Sequence, residues 1–285
     1  MAREVHHGSR TSTNEAMLGD AFTSFELLAL QTREMSFMSG PATTGMSASI
    51  QPGSKETTMS AVNVTYFSDI LCIWAYVAQA RVEAIKQAFG NQVQLNYRFC
   101  SVFGDTRTKI GLSWEGKGGF DGYSKHVKTI AARFRHVKVH PLIWTATQPP
   151  SSASPHLFLA AVHEWEIAAG ADASEKPIFE SVMWAFRRGF FELGFDIADW
   201  NIQCELARPF GVDIDAVERG IHNGAAFARL AADYQDAETM HIEGSPTFVL
   251  NEGRQKLFGN VGFRIVEANI REVLREPNMD QASWC

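Results

Sequence analysis

No stretch of this sequence approaches the roughly 18–20 consecutive apolar residues that a membrane-spanning helix requires, so a spanning role is excluded. A basic excess is also missing. The 26 Lys and Arg face 32 Asp and Glu, a net charge of −6, whereas nucleic acid as the main partner would need a clustered positive surface. Cysteine is sparse: Cys72, Cys100, Cys204 and Cys285 are scattered without the paired spacing of a metal site. Four cysteines in 285 residues make no disulfide scaffold, so reduced thiols in the cytoplasm are expected. The N-terminus lacks the apolar core, about 7–15 residues long, of a secretory signal, which points to the same compartment. What is present, 45% hydrophobic and 20% charged residues, suffices for one large soluble domain or two moderate ones.

Residues 1–59 are dominated by Ser, Thr, Met and Gly, with Ala21 to Thr32 as the one amphipathic fragment. Such a segment buries too little apolar surface to offset its ordering entropy, and a low-complexity, disordered tail is expected. A start codon placed too far upstream is an equal explanation, since Met59 stands just before the first convincing strand.

From Val62 the pattern becomes a strand, Val62 to Phe67. A helix follows from Ile73 to Phe89, closed by Gly90-Asn91, and then a second strand in which Val93, Leu95, Tyr97 and Phe99 alternate with polar residues. This is a βαβ unit with a crossover long enough for parallel strands. Between Asp105 and Tyr234 helical periods take over, predicting helices over Tyr123–Arg135, Ser154–Ala169, Pro177–Glu192, Ile197–Arg208, Asp215–Ile221 and Ala225–Gln235, separated by Pro and Gly breaks. Strands return at Thr247–Leu250 and Lys256–Phe258, and a last helix carries Phe263, Val266, Ile270, Val273 and Leu274 on one stripe. The order predicts an α/β fold: a thioredoxin-like core from residues 60–104 and 237–285, interrupted by an all-helical insertion at 105–236.

Cys72 falls where the first strand has ended and the helix begins. Unsatisfied backbone N–H groups and the positive end of the helix dipole point at its sulfur, which favours the thiolate. Such sites lower a thiol pKa from about 8.5 into the range of roughly 3.5–7.5 and suit attack on a disulfide or a soft electrophile. The plainer reading is a small buried apolar residue, since free cysteine is commonly buried.

The segment Ser68-Asp69-Ile70-Leu71-Cys72-Ile73-Trp74-Ala75-Tyr76 resembles the active-site segment of the DsbA-like branch of the thioredoxin superfamily. That branch includes FrnE-type oxidoreductases, kappa-class glutathione transferases and 2-hydroxychromene-2-carboxylate isomerases. Gly244-Ser245-Pro246-Thr247-Phe248-Val249 resembles the family's cis-proline loop, which lies against the active-site thiol and shapes its cleft. The resemblance spans about Val62 to Leu274 and implies that Cys72 is the nucleophile and that Ser245 and Pro246 contact the substrate. Trp74 and Tyr76, beside the thiol, are candidates to line the cleft, although aromatics at helical spacing are more often core and Trp74 is as readily one as the other. Ala75 stands where dithiol members carry the resolving cysteine, so a mixed disulfide at Cys72 must be released by another thiol, with glutathione the first candidate as co-substrate. Ile73 replaces the motif's proline and restores one backbone N–H. The transferases and isomerases carry Ser at the position of Cys72, and a Phe/Trp-Gly-x-Asp-Arg segment where this chain has Phe258-Gly259-Asn260-Val261-Gly262, without the Asp and Arg. Asn260 is thus a candidate glutathione contact or, equally, a cap for the last helix.

Other groups are weaker. Cys100 ends the second strand and would resolve Cys72 only if the two Cα atoms lay within about 7 Å. Cys204 reads as core and Cys285 as exposed. His136 and His140 are four apart, but Pro141 follows directly and no Glu occupies the metalloprotease position, so no metal is expected. Lys125, Lys128, Arg133, Arg135 and Lys138 form a basic run that suits either a solvated helix face or the carboxylates of a glutathione-like ligand. His156 reads as a structural or peripheral pocket residue. Three functions are consistent with this pattern: a monothiol, glutathione-coupled thiol-disulfide oxidoreductase; a glutathione-dependent transferase or isomerase; and a non-catalytic binding module. Partners are accordingly glutathione or a thiol/disulfide substrate, with a homodimer left open.

Overall fold

The computed structural model describes residues 61–170 and 177–275. The expected tail at 1–59 and the terminal Cys285 lie outside the described residues. Strand β1 (Val62–Ser68) leads through a short turn into α1 (Ile73–Phe89), and β2 (Val93–Phe99) returns parallel to β1, in register from Val62 opposite Val93 to Ser68 opposite Phe99. Strand β3 (Thr247–Leu250) pairs antiparallel with β1, Phe67 facing Thr247, and β4 (Gln255–Phe258) pairs antiparallel with β3. The sheet order is β2-β1-β3-β4. From Tyr66 onward β1 is buried on both faces, as a central strand covered by helices on either side must be. The last helix, α8 (Phe263–Leu274), buries Val266 and Ile270.

Between β2 and β3 the regular elements described are helical: a π-helical turn (Arg107–Leu112), then α2 (Gly119–Ala131), α3 (Ala153–Ala168), α4 (Ile178–Phe191), α5 (Trp200–Ala207), α6 (Ile214–His222) and α7 (Ala225–Thr239), with short 3₁₀ turns between some of them. No helix among the described residues is long and apolar enough to cross a membrane.

Helix α5 begins three residues later than its periodicity suggests, because the Asp199 carboxylate caps it by accepting from the N–H groups of Asn201 (2.8 Å) and Ile202 (3.2 Å). Helix α4 has Pro177 at its N-cap, which offers no acceptor side chain. Glu166, from the end of α3, accepts from Ile178 N and Phe179 N instead, so one helix caps the next.

The largest departure is α2, expected over Tyr123–Arg135 and found over Gly119–Ala131. Its start is set by Gly118 and Gly119, both at positive φ (91° and 55°), a backbone that side-chain-bearing residues rarely adopt. At its other end Phe134 stays in phase with the buried Tyr123, Val127 and Ile130, so the period runs on after the helix has stopped. Arg133 and Arg135 therefore sit in a loop.

Among the contacts that dock the helical segment onto α1 and β1, two involve Tyr76 and Arg187. Tyr76 stacks on Phe191 (centroids 4.8 Å apart, planes 9° apart) and donates its hydroxyl to Glu192 Oε1 at 2.6 Å. Arg187 of α4, fully buried, reaches Gln79 Oε1 of α1 (3.2 Å) and Ser68 Oγ of β1 (2.8 Å).

Candidate active site

Cys72 is the N-cap of α1, its backbone extended (φ −82°, ψ 118°) while its carbonyl already accepts from Tyr76 N at 3.1 Å. Its side chain is 5% exposed. The Ser245–Pro246 peptide is cis, and its loop packs on the thiol: Cys72 Sγ donates to Ser245 O at 3.2 Å, while Ser245 Oγ accepts from Asp69 N at 2.8 Å. Residues 173 apart in sequence thus share one cleft.

The loop is fixed on its other side as well. Gly259 N donates to Pro246 O at 2.8 Å, and Thr247 Oγ1 to Gly244 O at 2.8 Å. A Cβ at Gly244 would lie 2.8 Å from the Phe258 ring and would push that ring aside. That ring is itself 55% exposed.

Burial pushes the Cys72 thiol above its ordinary value, and the nearby Asp69 carboxylate adds to this. The Ser245 hydroxyl and the N–H groups of Ala75 and Trp74 work the other way. The expected helix-start donors are therefore in place, but desolvation outweighs them, and the resting sulfur is a protonated donor rather than a free thiolate. The expectation of an acidified thiol is corrected on this ground. Ser245→Ala removes a donor to the sulfur, so the pH midpoint for alkylation of Cys72 is expected to rise. The rate at pH 7.5 should fall about tenfold, because a hydrogen bond to a charged acceptor is worth roughly 1.5 kcal/mol. An unchanged pH profile would show that the hydroxyl serves only Asp69 N.

Asp69, fully buried, gathers the loop around the thiol. Its Oδ1 accepts from Leu71 N (2.9 Å), and its Oδ2 from Val102 N (3.0 Å), Phe103 N (2.8 Å) and Ser152 Oγ (2.8 Å). Burial nevertheless raises its pKa to about 6, against the pull of these donors. His156, also fully buried, stacks on Phe99 (centroids 4.3 Å apart), accepts from Ile70 N at Nε2 (3.0 Å) and faces Tyr234 OH at Nδ1 (3.0 Å). A backbone N–H can only donate, so Nε2 is bare and the proton sits on Nδ1. Its pKa is pushed down to about 3, chiefly by burial and further by the Arg187 cation. The 3.9 Å approach of Nε2 to Asp69 Oδ1 is accordingly no ion pair.

Of the residues singled out in sequence, the structure brings Cys72, Ser245 and Pro246 together. Trp74, half-buried in the first turn of α1, meets the Phe134 ring edge-on at 6.3 Å. Asn260 is exposed on the turn that adjoins Pro246, and Gly262, not Asn260, caps α8. Cys100 packs with Phe67, Val249 and Ala237, and burial raises its thiol strongly. Cys204 is buried in α5. His136 Nε2 lies 3.2 Å from Val77 O, and His140 Nδ1 accepts from Leu142 N at 3.3 Å. Among the described residues no group of three or more His, Cys, Asp or Glu is placed to hold a metal ion. Sequence reasoning gave no role to Asp69, Arg187 or the Ser245 hydroxyl.

A family model described as DSBA-like thioredoxin domain matches residues 63–271. No curated protein matches the sequence. Among solved structures, a probable DsbA oxidoreductase from Streptomyces coelicolor is 22% identical with a TM-score of 0.58, covering 76% of this chain and 92% of its own. The cytosolic disulfide reductase DsbM from Pseudomonas aeruginosa is 19% identical with a TM-score of 0.53, covering 74% and 100%. A 2-hydroxychromene-2-carboxylate isomerase is 15% identical with a TM-score of 0.51, covering 74% and 95%. At these identities the likeness is one of fold.

Proposed function

Because the chain belongs to the DSBA-like thioredoxin domain family, we propose that it is a thiol-disulfide oxidoreductase working through the single thiol of Cys72, with glutathione or a similar small thiol as co-substrate. The observation that carries this reading is the 3.2 Å contact between Cys72 Sγ and the carbonyl of Ser245, the residue before the cis-proline. A substrate sulfur entering along that loop meets the thiol at the start of α1, where N–H groups and the Ser245 hydroxyl receive the charge once the proton has left.

The reaction balances without a further oxidant. The Cys72 thiolate attacks one sulfur of a disulfide, forming a mixed disulfide and expelling the other sulfur as a thiolate. An external thiolate then attacks the mixed disulfide, regenerating Cys72 and carrying the substrate half away as a new disulfide. Ala75 is fully buried and brings no second thiol, and Cys100 is packed into an apolar cluster, which supports an outside thiol for the second step. DsbM is described in a structure with GSH, which makes glutathione the first thiol to test. In this reading Trp74, Ser245 and Pro246 wall the cleft, Asn260 stands on its rim, and the helical insertion over residues 105–236 forms the facing wall. The working compartment is the cytoplasm, where glutathione is kept reduced.

Intact-mass measurement after incubation with oxidised glutathione tests the proposal. One glutathionyl adduct is expected on the wild type, removable by reduced glutathione, and none at this site on Cys72→Ala. A wild type that takes no adduct at residue 72, or a Cys72→Ser variant that retains full exchange activity, overturns it.

A further inference from the structure

From residue 122 to residue 163 the chain has no Asp or Glu, yet it carries Lys125, Lys128, Arg133, Arg135 and Lys138, in a protein whose net charge is −6. A solvated helix face is the ordinary explanation for such a run, and it accounts for Lys125 and Lys128 on α2. It does not account for the rest, which lie in the loop after α2.

Three contacts fasten that loop to the first two turns of α1. Phe134 meets Trp74 edge-on at 6.3 Å, His136 Nε2 lies 3.2 Å from Val77 O, and the Lys138 backbone lies near enough to the Tyr76 hydroxyl to act on its charge. Tyr123 of α2, 8% exposed, lies close enough to Cys72 for a charge on the sulfur to act on its hydroxyl. Arg133 and Arg135 are thus the chain neighbours of a residue whose ring packs on Trp74, two residues from the candidate nucleophile. Both are exposed, as is Lys138, and none of the three has a side-chain ion pair or hydrogen bond among the described residues. Other arginines are neutralised locally, among them Arg98 by Asp233, Arg188 by Glu192, Arg229 by Glu164 and Arg271 by Glu267, whereas Arg107, Arg208 and Arg264 share with Arg133 and Arg135 the lack of a carboxylate ion pair among the described residues. The acidic residue on the facing loop is the exposed Glu243, two positions before Ser245.

We propose that Arg133 and Arg135 bind the carboxylates of the small disulfide or thiol that reacts at Cys72, so that the site selects anionic substrates in a protein whose overall charge repels them. The inference rests on the exchange reading above and adds the substrate's charge class. Guanidinium groups suit carboxylates, which they grip through paired N–H donors. Carried on a loop that packs against the first turns of α1, they also raise the local concentration of anions, an effect that salt screens within about 10 Å at 0.1 M.

The test compares a dianionic aromatic disulfide, 5,5′-dithiobis(2-nitrobenzoate), with a neutral one, 2,2′-dithiodipyridine. The full chain is used in a Cys285→Ser background, with modification mapped to Cys72. At low ionic strength the ratio of rate constants, anionic over neutral, should exceed the ratio shown by free cysteine by about tenfold, and 0.5 M salt should remove most of the excess. Arg133→Gln/Arg135→Gln should lower the ratio to that of free cysteine. Arg254→Gln, the same charge change in the turn between β3 and β4, should leave it at the wild-type value. A ratio equal to that of free cysteine, or an excess that the double substitution leaves intact, overturns the inference while leaving the exchange reading standing. Failure of Cys72 to react with either disulfide is a different result, and it removes the exchange reading and this inference together.

Discussion

Asp69→Ala is expected to cost the fold about 4 kcal/mol or more at pH 7, read as a fall in the urea midpoint, and to slow exchange at Cys72. The carboxylate is the acceptor for three backbone N–H groups and one hydroxyl in the interior. Each buried donor left without a partner costs roughly 1–3 kcal/mol, and alanine supplies none of the lost acceptors. Some of this is offset, because alanine no longer buries a charge and Ser152 can rotate its hydroxyl elsewhere. Against a usual stability of about 5–15 kcal/mol the remainder is large. Asp69→Asn keeps one acceptor oxygen and should fall between the two. The effect on exchange follows from position: the same carboxylate holds Leu71 N, immediately before the thiol, and the N–H groups of Val102 and Phe103 after β2. Its loss frees both segments at once. An Asp69→Ala protein with the wild-type midpoint would show that water or rearrangement replaces the acceptor.

His156→Gln is expected to change how stability responds to acid. A histidine free in the unfolded chain titrates near 6.5, whereas folded His156 is held down to about 3. Its contribution is complete above pH 6.5 and is lost as pH falls toward 3, because the unfolded state takes the proton first. At pH 5 this amounts to about 2 kcal/mol. Asp69 works in the opposite direction. Its folded pKa of about 6 exceeds the ordinary 3.8, so between these values the native state binds the proton the unfolded state refuses, and about 1.4 kcal/mol is regained at pH 5. The two buried groups largely cancel in the wild type. Glutamine can still accept from Ile70 N and donate to Tyr234 OH but does not titrate. Whatever the variant loses in packing at pH 7.5, its deficit against wild type should shrink by about 2 kcal/mol at pH 5. A deficit equal at both pH values would mean that His156 is not held neutral.

The core was legible where signals are local. Helix α1 was placed to the residue, because Cys72 ends an extended segment and Gly90, at φ 51°, stops the helix. The strands followed from alternation and from the Asn251-Glu252-Gly253 turn. Helix α2 was misplaced because Phe134 keeps the helical phase for a different purpose, contact with Trp74. In the site, Cys72, Ser245 and Pro246 were legible as short motifs. The acidity of the thiol was misjudged because the helix-start donors are written beside it, whereas its burial comes from a loop 173 residues away and from the helical segment. Asp69 gave no sign of its role, since its partners at residues 102 and 103 are backbone groups and leave no side-chain pattern. Arg187 beside Arg188 reads as a surface pair, yet it is fully buried between Ser68 and Gln79.

The capped, protonated sulfur of Cys72 also bears on survival under oxidative stress. Hydrogen peroxide attacks thiolates that it can reach, and each further oxygen carries the sulfur toward sulfinic and sulfonic acids, which exchange cannot reverse. With its S–H donated to Ser245 O and 5% of its surface open, Cys72 offers peroxide little charge and little access. In the proposed exchange, a disulfide docked along the cis-proline loop would displace that hydrogen bond as the thiolate forms and attacks. On that reading the nucleophile would be rationed to partners that fit, and a slow resting thiol would be a durable one.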